Sequence, residues 1–123
     1  MPRQPATPKD PQAIAHYHAH IYYDPAKTRD RAERLRAGVA EKFPQAKLGR
    51  WHDELVGPHP RSMFQIAFPR ELLPSLVPWL MLNRDGLAVL VHPETGNAYR
   101  DHAEHAAWLG EKLPLKLDVL KDE

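Results

Sequence analysis

From residue 14 to residue 23 the chain alternates. Tyr17, Ala19, Ile21 and Tyr23 fall on one side, and His16, His18, His20 and Tyr22 on the other. A period of two predicts a strand. Asp24 and Pro25 then read as the N-cap and first residue of a helix, since aspartate can accept from free amides there and proline needs none. The helix is expected to reach about Phe43, burying Ala32, Leu35, Val39 and Phe43 at spacings of three and four. Arg29, Arg31, Glu33, Arg34 and Arg36 form its solvated face. Residues 48–56 read as a second strand, and Gly57-Pro58-His59-Pro60 as a turn. Residues 62–68 form a third strand, with Phe64, Ile66 and Phe68 opposed to Met63, Gln65 and Ala67. Residues 71–82 return to helical spacing, kinked or shortened by Pro78. After a turn at residues 83–86, the run 87–92 is apolar at almost every position, as in a central strand covered on both faces. Asp101 and Glu104 make a capping-box pair opening a last helix that Gly110 ends. Leu115, Leu117 and Val119 alternate, which suggests a short edge strand.

The order β-α-β-β-α-β plus a C-terminal helix predicts an α+β fold. Its architecture is a ferredoxin-like split β-α-β with a four-stranded antiparallel sheet and the helices on one face. One domain over residues 14–120 follows a proline-rich tail at 1–13. The second sheet face is left bare, so it is expected to meet a partner subunit or to form a pocket.

Composition narrows the function. A length of 123 residues with 42% hydrophobic side chains supports one domain with a real core. Seventeen basic against sixteen acidic residues leave no field for nucleic acid, so a small molecule or a second copy of the chain is the expected partner. The absence of cysteine excludes disulfides and thiolate metal sites. No apolar run approaches a membrane span of about 20 residues, and the first residues lack a secretory pattern, so a cytoplasmic location is expected.

The eight histidines carry the chemistry. If Tyr17, Ala19 and Ile21 face the helices, His18 and His20 project from the other face. They stand about 7 Å apart and can converge on one ion. In this topology the end of the fourth strand lies beside the start of the first, bringing His92 to the same face. His18, His20 and His92 are therefore the candidate metal ligands. His16 reads as a surface residue. His102 and His105, three apart, read as helix-surface polars or a separate metal pair. His52 shares its face with Glu54, and Gln65 lines that face from the third strand. His52 is a candidate acid–base group because imidazole titrates near neutrality, and His59 is held in the rigid GPHP turn. Imidazoles without sulfur suit zinc, iron(II), copper or nickel, and three protein ligands leave positions open for chemistry.

Three strings resemble one family. They are HAHIYYD (residues 18–24), LGRWHDELVGPHPRSMFQIAF (48–68) and PWLMLNRDGLAVLVHPETGNAYRDHAEHAAWLG (78–110). Over residues 16–117 the chain resembles the DOPA 4,5-dioxygenase family of the small fungal and bacterial type. The resemblance implies an extradiol ring-cleaving enzyme that uses non-haem iron(II), dioxygen and a catechol such as L-DOPA, on a ferredoxin-like fold often paired as a homodimer. It implies His18, His20 and His92 as metal ligands, with His52 or His59 moving the catechol proton and later returning it. Arg50 or Arg61 would pair with a substrate carboxylate. Many extradiol enzymes use two histidines and one carboxylate. Here the best-placed acid by parity is Glu54, on an outer strand, so an all-histidine site is expected. A zinc-dependent hydrolase or lyase, and a non-catalytic dimeric ligand- or metal-binding module, would use the same residues.

Overall fold

The computed structural model describes residues 7–121. Five strands form one antiparallel open sheet in the order β2-β3-β1-β4-β5. They are β1 (His16–Tyr23), β2 (Lys47–Leu48), β3 (Ser62–Pro69), β4 (Val89–Pro93) and β5 (Ala107–Leu109). The helices are α1 (Arg29–Lys42), α2 (Leu73–Asn83) and α3 (Ala98–Ala103). No helix among the described residues is long and apolar enough to cross a membrane.

The alternation read from the sequence sets the two faces. Ala19, Ile21 and Tyr23 of β1 join Phe64, Ile66 and Phe68 of β3 and Val89 and Val91 of β4. Ala32, Leu35 and Val39 of α1, with Leu76 and Leu80 of α2, cover them. Burial of this apolar surface is the main stabilising contribution, at about 25 cal/mol per Å². The two helices meet closely at Gly38, where a Cβ would stand 2.9 Å from the Trp79 ring.

The second face is not bare. Tyr22, Met63, Ala88 and Leu90 are covered by Leu113, with Val56, Ala106, Trp108 and Leu115 packed around them. The amide of Lys116 donates to the Pro58 carbonyl at 2.7 Å, joining the two covering segments. The strands therefore have a second small core, supplied by the chain itself.

Several boundaries differ from the expectation. Helix α1 starts at Arg29, not at Pro25. The Asp24 carboxylate accepts from Ala26 N at 2.9 Å and Thr28 Oγ1 accepts from Asp24 N at 2.8 Å, which shapes a turn before the helix. Helix α2 runs through Pro78. The strand expected at 48–56 shrinks to two residues plus one bridge between His52 and Met63. Beyond it the chain is anchored by side chains instead of a ladder. Asp53 accepts from Tyr23 Oη at 2.6 Å and Arg29 Nε at 3.1 Å, while the Arg29 guanidinium lies 4.3 Å over Trp51. Of the tail expected at 1–13, residues 1–6 lie outside the described residues, and Pro11–Ala13 form a 3-10 turn capped by Asp10.

The C-terminal helix is the largest correction. Helix α3 is capped by Asn97, whose side chain accepts from Arg100 N at 3.0 Å, and it ends at Ala103. The expected rest of that helix pairs with β4 as β5, so the sheet has a fifth strand. An open ladder edge on β4 outweighs the local helical preference of the alanines and leucine in that short stretch. The strand expected near Leu117 is a 3-10 turn, Leu117–Leu120. Asp101 sits inside α3, 1% exposed, accepting from Thr95 N at 2.8 Å and Thr95 Oγ1 at 2.6 Å. Those bonds tie α3 to the loop that leaves β4. Asp101→Ala removes two hydrogen bonds to the exposed Thr95 and should lower stability by about 1–3 kcal/mol. A urea titration whose midpoint drops with an unchanged slope would show it; an unchanged midpoint would mean α3 is held by something else.

Candidate metal centre

The antiparallel register of β1 and β4 places His18 directly opposite His92, and that of β1 and β3 places His20 opposite Gln65. Cross-strand partners on one face come within about 5 Å. The imidazoles of His20 and His92 approach to 3.0 Å between their Nε2 atoms, with both rings buried. Ligand nitrogens of His18, His20 and His92 all lie within 4.8 Å of one another. A second triad, His20, His59 and His102, meets the same criterion and shares His20.

Loop and helix bring in the last two rings. His59, 4% exposed in the GPHP turn, stands 4.3 Å from the His20 ring between centroids and shares a 2.7 Å hydrogen bond with Tyr22 Oη through Nδ1. His102, on α3, lies 4.0 Å from the His92 ring.

The hydrogen bonds orient the nest. His92 Nδ1 donates to the Pro93 carbonyl at 2.9 Å, and His102 Nδ1 to the Ala98 carbonyl at 2.8 Å. His18 Nδ1 meets Glu94 Oε1 at 2.6 Å. A neutral imidazole that donates from Nδ1 keeps its lone pair on Nε2. Three rings thus offer Nε2 lone pairs, two of them together with His20 in the first triad. Between His20 and His92 only His20 can then supply a proton, and its buried Nδ1 has no hydrogen-bond partner.

Electrostatics keep the rings neutral. Burial pushes His20 well below the ordinary imidazole range, reinforced by His59 and His92. Burial lowers His59 to about 4, with His102 and His92 adding to it. His92 is lowered by burial to about 4 although the Pro93 carbonyl works in the other direction. His18 is lowered by burial, opposed by the Glu94 carboxylate. Neutral imidazoles at neutral pH are what metal ligation requires.

A divalent transition ion fits these residues. Two nitrogens bound to one ion at right angles, each about 2.1 Å away, would be about 3.0 Å apart. The sulfur-free donor set points the same way.

The other expected site residues divide. Gln65 is half-buried on the histidine face. His52 is half-buried, with its backbone bonded to Met63 at 2.9 and 3.1 Å, and it stands outside both triads. Arg50 and Glu54 are exposed. The carboxylate beside the histidines is Glu94, not Glu54. Arg61 pairs with Glu111 at 3.2 Å on the wall of a cavity of about 500 Å³ that Tyr22, Asp24 and Ser62 also line. His16 and His105 are exposed. Sequence reasoning left out the roles of His102, Glu94 and Tyr22. The DHxxH spacing hinted at His102, but only the fold separates it from His105.

These features define a class: a small α+β protein with a buried, all-imidazole nest suited to a divalent metal. Comparison with known proteins gives the family. The Dopa 4,5-dioxygenase family model matches residues 17–119, and the chain belongs to that family. It is 35% identical to a DOPA 4,5-dioxygenase of Amanita muscaria over 113 residues, covering 85% of this chain and 49% of that one. It is 36% identical to an uncharacterised 21.2 kDa protein of Botryotinia fuckeliana, covering 85% of this chain and 63% of the other. The chain thus spans about half to under two thirds of the length of these curated relatives. A crystal structure of a candidate dioxygenase from Nostoc punctiforme is 50% identical, with a TM-score of 0.88, covering 92% of this chain and 96% of that one.

The lowered pKa values give a pH dependence with a definite sign. Unfolded histidines near 6.5 bind protons that folded His59 and His92, near 4, refuse. Folding stability is therefore undiminished above about pH 6.5 and falls as pH drops toward 4. For the chelator-stripped chain, urea midpoints should decline across that window, and His59→Gln should make the decline shallower. A flat profile in the unsubstituted chain would contradict neutral burial.

Proposed function

We propose that this chain is an extradiol ring-cleaving dioxygenase that uses non-haem iron(II) and dioxygen to open a catechol such as L-DOPA. The observation that carries the reading is the convergence of His18, His20 and His92 on one face, in a chain of the Dopa 4,5-dioxygenase family. The named activity of the Amanita muscaria relative supports the substrate class. The strand order β2-β3-β1-β4, with α1 and α2 on one side, supports the ferredoxin-like reading, with β5 as an addition.

Bound in this nest, iron(II) would supply a Lewis-acidic, redox-active centre for a catechol and dioxygen. The chain's own part is to hold three neutral nitrogens in fixed directions and to manage a proton. Tyr22 Oη as donor to Nδ1 would keep the His59 proton on Nε2, beside His20. That makes His59 the better acid–base candidate of the two expected, since His52 lies outside both triads. Gln65, opposite His20 on the histidine face, is the candidate to meet a substrate hydroxyl. Of the two arginines, Arg61 lines the cavity that Tyr22 also lines and is the candidate for a substrate carboxylate.

Anaerobic loading with iron(II), followed by L-DOPA and oxygen, tests the reading. One oxygen consumed per catechol and a yellow ring-opened product are expected. Losing an outer hydrogen-bond partner of a ligand costs about 10–100-fold in activity or metal affinity. His18→Ala and His92→Ala should therefore lose at least about 100-fold. No uptake with DOPA, caffeate or simple catechols would overturn the proposal. Zinc-dependent ester turnover, or tight binding without turnover, would then identify a hydrolase or a binding module.

A further inference from the structure

We infer that Glu94 is a positioning residue of the histidine centre: its carboxylate grips His18 by Nδ1 and leaves Nε2 for the site shared with His20 and His92. The inference rests on the metal-centre reading above. Three rings in the nest have Nδ1 committed to an acceptor. For His92 and His102 the acceptor is a backbone carbonyl, of Pro93 and Ala98 respectively. For His18 it is the Glu94 carboxylate, at 2.6 Å. Only this third acceptor is a side chain, and only it carries charge.

His18 also needs such a hold more than its neighbours do. His20 and His92 are buried and fixed by packing, at 3% and 1% exposure. The His18 side chain is 24% exposed at the rim of the nest and meets the His20 and His92 rings only edge-on, at 6.1 and 5.3 Å between centroids. A rim imidazole with free rotation about χ2 could turn either nitrogen inward. A carboxylate on one nitrogen removes that choice and makes the other a stronger donor.

Glu94 is itself well placed to do this. Its amide donates to the His16 carbonyl at 2.9 Å, and Pro93 before it pairs with Tyr17 in the β1–β4 ladder. The sheet therefore fixes the backbone of Glu94 beside the end of β1 that carries His18. The same dyad answers why no acid was found in phase with the HxH pair: the carboxylate comes from just beyond β4.

The test is metal affinity, measured on the full chain by competition of zinc and of cobalt(II) against a chromophoric chelator. Glu94→Ala should weaken binding about 10–100-fold, and Glu94→Gln, whose amide oxygen can still accept, should recover part of the loss. The melting temperature of the metal-free variants should stay near that of the unsubstituted chain. An affinity within twofold in Glu94→Ala would overturn the inference while leaving the metal centre intact, as would a fall in metal-free stability with no change in affinity. Equal losses in both variants with an altered cobalt(II) spectrum would make the carboxylate a ligand in its own right, and would also overturn it. No binding by the unsubstituted chain would overturn the metal-centre reading itself, and this inference with it.

Discussion

The pairing register between β1 and β4 is the constraint on which the centre depends. It sets Ala19 opposite Val91 and Ile21 opposite Val89 on the helix side, and in the same stroke sets His18 opposite His92 on the other. A slip of one residue would turn Ala19, Ile21 and Tyr23 away from α1 and α2, and would drive His18 and His20 into the core. Unpaired polar side chains there cost several kcal/mol each. The helix-side core therefore holds the histidines in register without touching them. Tyr22 and Leu90 add a second lock, because they need the cover that Leu113 and Trp108 provide.

Within that frame the nest is kept short of protons and short of partners. Five imidazoles gathered in one place would repel strongly if charged, and burial keeps His20, His59 and His92 neutral. His20 is left with an unpartnered Nδ1. An unmet buried polar group costs about 1–3 kcal/mol, and folded proteins keep such groups chiefly where they serve a function. The charged groups nearby are held to the edges. Asp101 is spent on Thr95, and Glu94 sits at the rim on His18.

Much of this was legible in the amino-acid order. Period-two alternation in residues 14–23 and 62–68 fixed which side chains share a face, and the fourth strand's phase put His92 with His18 and His20. The apolar spacing of Ala32, Leu35 and Val39 gave the face of α1. The misses have a common physical cause: they depend on partners distant in sequence. β5 forms because β4 offers an open edge, which no local propensity reports. The stretch after Leu48 leaves the sheet because Trp51 and Asp53 find Arg29 and Tyr23. Glu94 and His102 join the nest through the loop and helix at residues 94–103, pinned by Asp101, a residue whose role as a cap looked sufficient on its own. Glu54 had the right parity but no strand to carry it.

The two backbone acceptors and the one side-chain acceptor around the nest divide its rigidity. The Pro93 and Ala98 carbonyls belong to β4 and α3, so His92 and His102 are aimed by secondary structure itself. His18 is aimed by an exposed carboxylate, which salt and solvent can screen. The inner wall of the nest is therefore built in by the fold, while its outer wall is set by one hydrogen bond to a carboxylate. An ion that enters such a site finds His20 and His92 already 3.0 Å apart, so little ordering remains to oppose binding. The unfolded chain has no such nest. Under the proposed reading, ion binding and folding then favour each other, and the buried His20–His92 pair is the point at which the two are joined.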